Sequence, residues 1–131
     1  MEPLPGRIML LRAFVLSLGL TPSVALAADG MRPNDIKAAF FNGQPFTAAT
    51  PTGTKFKMTF SPDGKALREP LGDAGGPSKS GRWKLSPTGF CTSWAGAKPS
   101  CFTLVPMSDN RWSVQRIATT ISVTVAVWTK Q

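Results

Sequence analysis

The sequence predicts an all-β domain with one short N-terminal helix, an antiparallel meander curled into a small barrel or open sandwich. Three observations carry that expectation. From Gly43 onward apolar and polar residues alternate with a period of two, which is the spacing of half-buried strands. Turn-forming groups recur between these runs, at Pro62-Asp63-Gly64, Pro87-Thr88-Gly89 and Ser108-Asp109-Asn110. No heptad and no internal repeat competes with the hairpin pattern.

Taken in order, residues 33–41 form the only expected helix. Asn34 or Asp35 serves as its cap, Ile36, Ala39 and Phe40 share its apolar face, and Asn42-Gly43 stops it. A helix this short needs a sheet to pack on. Phe56, Met58 and Phe60 then alternate with Lys55, Lys57 and Thr59. Pro62-Asp63-Gly64 turns the chain, with Gly64 suited to positive φ, and residues 65–69 return as the partner strand. The Gly-, Pro- and Ser-rich stretch 70–80 reads as a mobile loop. Residues 81–86 make the next strand, with Trp83 and Leu85 inward and Arg82 and Lys84 outward. Strands follow at 90–94 and 101–105, separated by a second loop. Residues 111–117 return with Trp112 and Val114 in phase, so Trp83 and Trp112 read as core. Ile121, Val123, Val125 and Val127 close the pattern, and Trp128 is out of phase with them, on the other face or after a bend. Six or seven short strands result. The last stretch is β-branched and too short for a membrane helix, which takes about 20 apolar residues.

Residues 1–27 have the form of a secretory signal peptide. Arg7 and Arg12 give a positive start, residues 8–11 and 13–20 an apolar run, and Ala25-Leu26-Ala27 a small-x-small cleavage site before Ala28. The run is too short to span a bilayer, and no Cys follows the cleavage point to take a lipid. The expectation is bacterial export to the periplasm or beyond, with 28–131 as one domain and no membrane span after cleavage.

Two cysteines, Cys91 and Cys101, lie in that domain. An even count in an exported chain predicts one disulfide. In a hairpin centred on Gly96 the two would sit opposite each other; in a looser arrangement the bond pinches the loop. A domain of this size is marginal on core burial alone, and a short closed loop adds about 3 kcal/mol in the chain-entropy picture. Trp94 lies inside the closed loop. It is either a rigidly held binding anchor or core folded back over the sheet.

The formal charge is +8, and loss of the leader, with Glu2, Arg7 and Arg12, lowers it to +7. The chain has no His and no Tyr. That removes Ser-His and Cys-His catalysis and every His-containing metal site. Lys55, Lys57, Arg82 and Lys84 project from the outer faces of their strands. If those strands are neighbours, four cations share a surface, extended by Lys65 and Arg68. Such a surface suits an anionic partner; the alternative is a solvated sheet face. Aromatics do not alternate with the cations, so no nucleic acid is expected. No two carboxylates share a strand face as a paired-acid site requires, and neither a calcium loop nor a phosphate-cradling glycine motif occurs. Ser78-Lys79-Ser80 sets hydroxyls beside an amine without a positioned shell.

Between Thr54 and Cys101 the chain reads Phe60-Ser-Pro-Asp63-Gly64, Gly81-Arg-Trp83, Gly89-Phe-Cys91, then Trp94 and Cys101. This resembles a family of small exported bacterial proteins of unknown function. In that family an aromatic strand ends in an Asp-Gly turn, a Gly-x-Trp strand follows, and a Cys pair brackets an aromatic-containing loop. The resemblance covers roughly half of the exported chain. It implies an exported all-β domain and brings no catalytic residues with it.

The function expected from sequence is therefore non-enzymatic. An exported β domain binds an anionic envelope component or another protein, without cofactor or metal, through Lys55, Lys57, Arg82, Lys84 and Trp94. The alternatives are an interaction protein with no small ligand, and a small hydrolase built around Asp73 or Lys79 in a cleft.

Overall fold

The alternation of Lys55, Lys57 and Thr59 with Phe56, Met58 and Phe60 sends one set of side chains to water and the other to a common interior. In the computed structural model this rule holds around a closed wall. The structure describes Gly19 and residues 30–73, 76–118 and 120–131, with the side chains of 117 and 118 excepted. The expected leader, residues 1–27, lies outside the described residues apart from Gly19.

Among the described residues one helix, α1 (Pro33–Phe40), precedes eight strands: β1 (Phe46–Ala49), β2 (Lys55–Phe60), β3 (Lys65–Pro70), β4 (Lys79–Ser86), β5 (Gly89–Trp94), β6 (Ser100–Pro106), β7 (Arg111–Ala118) and β8 (Ile121–Thr129). Each strand pairs antiparallel with the next, and β8 returns to β1 through Thr47 opposite Thr129 and Ala49 opposite Val127. The meander is thus a closed barrel, and the open-sandwich alternative is set aside. Gly64 takes the expected positive φ of 88° in the β2–β3 turn. Asp109 and Asn110, at φ 46° and 58°, turn β6 into β7.

Four expectations need correction. The helix is not capped by Asn34 or Asp35: Arg32 holds the extended cap position with no side-chain cap bond, because Pro33 occupies the first turn, where its missing N–H costs nothing. The helix stops at Phe40, one residue early. An additional strand, β1, is formed by only Phe-Thr-Ala-Ala between Pro45 and Pro51, too short and too weakly apolar to show a period. In β8 the valines do not share the inner face. A register shift opposite Val114/Gln115 makes Val125 the extra residue. Ala126 and Trp128 then face inward opposite Val114 and Trp112, and Val127 faces out opposite Ser113.

Ile36, Phe40 and Phe41 are almost fully buried and plug one end of the barrel. Phe40 leaves the helix axis toward Phe46, Trp112 and Trp128, with ring centroids 5.1, 4.9 and 5.1 Å away. Phe41, already outside the helix, packs on Phe60 and Trp83 at 4.8 and 4.4 Å. Burying a Phe side chain is worth about 1.5–3 kcal/mol, so this floor supplies the packing that a two-turn helix lacks alone. The indole of Trp83 donates to the Ser61 carbonyl at 2.8 Å, which satisfies its polar edge inside the same cluster.

Candidate functional site

Among the described residues the floor closes one end of the barrel. At the other end lie the β1–β2 turn, the β3–β4 and β5–β6 loops and the β7–β8 tip. Below them the interior widens into a cavity of about 150 Å³. Its walls are largely apolar: Phe56, Met58, Phe90, Trp94, Phe102, Val114 and Trp128 contribute, with Thr50, Thr92 and Arg68 as the polar members. Thr50, Phe56, Arg68 and Trp94 are only partly buried, so the cavity reaches solvent at this end.

Arg68 is the unusual member. Across the β2–β3 ladder Ala66 stands opposite Phe60 and Arg68 opposite Met58. Residues directly opposite share a face, so Arg68 points into the barrel. Its guanidinium carbon lies 5.1 Å from the Phe56 ring centroid and 4.9 Å from that of Trp94. Both distances fall within cation–π range. Neither of the two ion pairs among the described residues involves it. Aromatic rings supply no acceptor oxygen, so these two contacts do not themselves satisfy the guanidinium's fork of N–H donors.

Trp94 reaches Arg68 because β4 carries Gly81 between them. Gly81 stands opposite Ala66 on one side and Trp94 on the other. A Cβ there would lie 2.6 Å from the Ser93 carbonyl oxygen and 2.8 Å from Trp94 Cε3. The indole therefore lies across the space that any other residue at 81 would fill. Lys79, directly opposite Arg68, stands exposed at the rim. Arg116, two residues beyond Val114 on β7, faces the same way by strand alternation and is also exposed.

The residues expected as a site fall into two groups. Cys91 and Cys101 stand opposite each other in the β5–β6 ladder and form a disulfide, so the cross-strand alternative is the one observed. They lie on the outer wall, since their neighbours Phe90 and Phe102 form the inward pair. Lys55, Lys57, Arg82 and Lys84 do face outward, but the strands that carry them are not neighbours. β3 separates β2 from β4. Lys57 is opposite Glu69 and pairs with it at 3.7 Å, while Arg82 is opposite Lys65 and Lys84 opposite Cys91. The four cations form no single cluster. Trp94 is not beside them: it ends β5 on the inner face, so the anchor and the expected basic surface lie on opposite sides of the wall. Arg68 likewise cannot extend an outer patch.

The sequence reading puts Arg68 on the outer basic patch and gives Phe56, Gly81 and Thr92 no part in a site. One signal could have found the first. Lys65 and Arg68 are three positions apart, and a strand places residues at odd spacing on opposite faces. With Lys65 outward, Arg68 has to be inward.

Chemically, the cavity offers one cation, two aromatic rings within cation–π range of it, and two threonine hydroxyls. Among the described residues no carboxylate, thiol or amine lines it. Among the described residues no group of His, Cys, Asp or Glu is placed to hold a metal, and no helix is long and apolar enough to cross a membrane. No family model, no curated protein and no solved structure matches the chain.

Proposed function

We propose that the protein is an exported, non-enzymatic binding protein that takes its partner, an envelope component, at the mouth of the barrel. The observation that carries this reading is Arg68, a cation turned into an apolar interior, within cation–π range of Phe56 and Trp94 and in neither ion pair among the described residues. A charge facing inward is costly unless something compensates it, and cation–π contact compensates only in part. An eight-stranded barrel with a floored end and an accessible interior is also a size that holds one small ligand. The Cys91–Cys101 disulfide supports export, since such bonds persist in oxidising compartments. Mass spectrometry of the protein from its host checks that part: an N-terminus at Ala28 is expected, and one at Met1 would overturn it.

Organic-solvent extraction of the protein purified from its host's envelope tests the binding itself. The extract should contain a small molecule, chemically unchanged by contact with the protein, that is depleted when Trp94→Ala is purified in parallel. Identical extracts from parent and variant would remove the mouth as the site. A product in place of the bound molecule would overturn the non-enzymatic reading.

A further inference from the structure

The geometry points to the class of ligand: we infer that the barrel mouth binds a monocarboxylate with a small apolar body, one aromatic ring or a short acyl chain. This inference rests on the binding reading above and adds the chemistry that the cavity selects.

Size comes first. The cavity is about 150 Å³, and an apolar cavity of about that volume in another protein holds a single benzene ring. A long lipid chain or a folded peptide segment exceeds it. Wall chemistry comes second. Apart from Arg68, Thr50 and Thr92 the lining is apolar, with Met58, Phe90, Phe102, Val114, Ala126 and Trp128 among it. A ligand body without hydrogen-bonding groups is the one that loses nothing on entering.

The charged end follows from Arg68. Two rings lie within cation–π range of the guanidinium, and neither supplies an acceptor oxygen for its planar fork of N–H donors. A carboxylate matches that fork with two parallel hydrogen bonds. It also carries the single negative charge that one buried-side cation balances. A phosphate monoester brings more charge and more acceptor oxygens than this interior can meet, because Lys79 and Arg116 stand out in solvent at the rim. There water and salt screen them, and their part is to draw an anion toward the mouth and raise its arrival rate. Apolar body down and carboxylate up is therefore the orientation in which both halves of the ligand are matched.

Tryptophan fluorescence and calorimetry on the exported protein test this with four probes: phenylpropionate, hexanoate, phenylpropionamide and phenyl phosphate. The two acids should bind and perturb the Trp94 emission, and phenylpropionate should bind at least about tenfold tighter than its amide, the scale of one charge-assisted pair. Arg68→Met should bring that acid-to-amide ratio close to one. Comparing the two acids separates an aromatic source from an acyl one. Equal binding of acid and amide to the parent, or a preference for phenyl phosphate, would overturn the carboxylate inference while leaving the mouth as a binding site. That comparison needs no variant, so it holds even if Arg68→Met folds poorly. If no probe binds but host-purified protein still yields a Trp94-dependent ligand, only the ligand class falls. If neither occurs, the mouth reading falls with it.

Discussion

Arg68 and Trp94 come from strands that do not touch, and they meet because Gly81 lies between them. β3 and β5 are separated by β4, yet the Trp94 ring centroid is 4.9 Å from the Arg68 guanidinium carbon. The indole crosses β4 at the position where the chain has no side chain. The chemistry of the mouth thus depends on a residue that contributes no group to it.

Gly81→Ala should therefore damage the mouth more than the barrel. The added methyl meets the Ser93 carbonyl and the Trp94 ring, at 2.6 and 2.8 Å before any relaxation. The backbone oxygen cannot move far, so the indole has to. A loss of about 1–3 kcal/mol is expected, as for other overpacked sites. Urea denaturation measures it, and a red-shifted tryptophan emission in the folded variant would report Trp94 displaced toward water. An unchanged spectrum would separate Gly81 from Trp94 placement.

The disulfide prediction is read as a difference between two buffers. Cys91→Ala should lower stability by about 2–4 kcal/mol in oxidising buffer. In reductant, parent and variant should melt within a degree or two of each other, because the bond is then missing from both. Non-reducing peptide mapping of the parent should find Cys91 linked to Cys101, as in the structure.

Reversing two outer cations should leave the mouth working. Lys57→Glu with Lys84→Glu breaks the Lys57–Glu69 pair and puts two carboxylates opposite each other on neighbouring strands. That costs about 0.2–1 kcal/mol. The binding of phenylpropionate should stay within about twofold of the parent, since rim and wall charges act mainly on arrival rate. Loss of all binding in a folded double variant would return the function to the outer face.

Much of this fold is legible in the chain. Strong alternation, as at Phe56-Lys-Met-Thr-Phe60, fixes both the strand and its inner face. The Asp63-Gly64 turn and the cysteine pair are local signals that tertiary packing does not override. Closure is not local: β1 is four residues with two alanines, and it is a strand only because β2 and β8 flank it. The Val123-Val125-Val127 alternation misleads for a related reason, since the bulge that shifts its phase is set by pairing with β7. At the site, charge misleads. Arg68 reads with the outer lysines because it is basic, although its spacing from Lys65 places it inside. Trp94 ends a strand within the disulfide-closed segment and reads there as either anchor or core, because only small residues follow it; its neighbours on the inner face, Gly81 and Arg68, lie 13 and 26 positions upstream.

The join of β1 to β8 also shapes how the molecule opens. An open sheet has two outer strands, each held by one ladder, and fluctuation starts there. In this wall every strand is held on both sides over at least part of its length, so no strand is cheapest to release. Resistance to opening is then graded along the barrel axis instead of around its circumference. It is greatest where Phe40, Phe41 and Trp128 fill the floored end and least at the loops of the mouth. Amide hydrogens near Leu104 and Trp128 should exchange slowly and together, while those of residues 50–54 and 95–99 exchange early. The end that admits a ligand is the end free to breathe, and it can do so without loosening the rest.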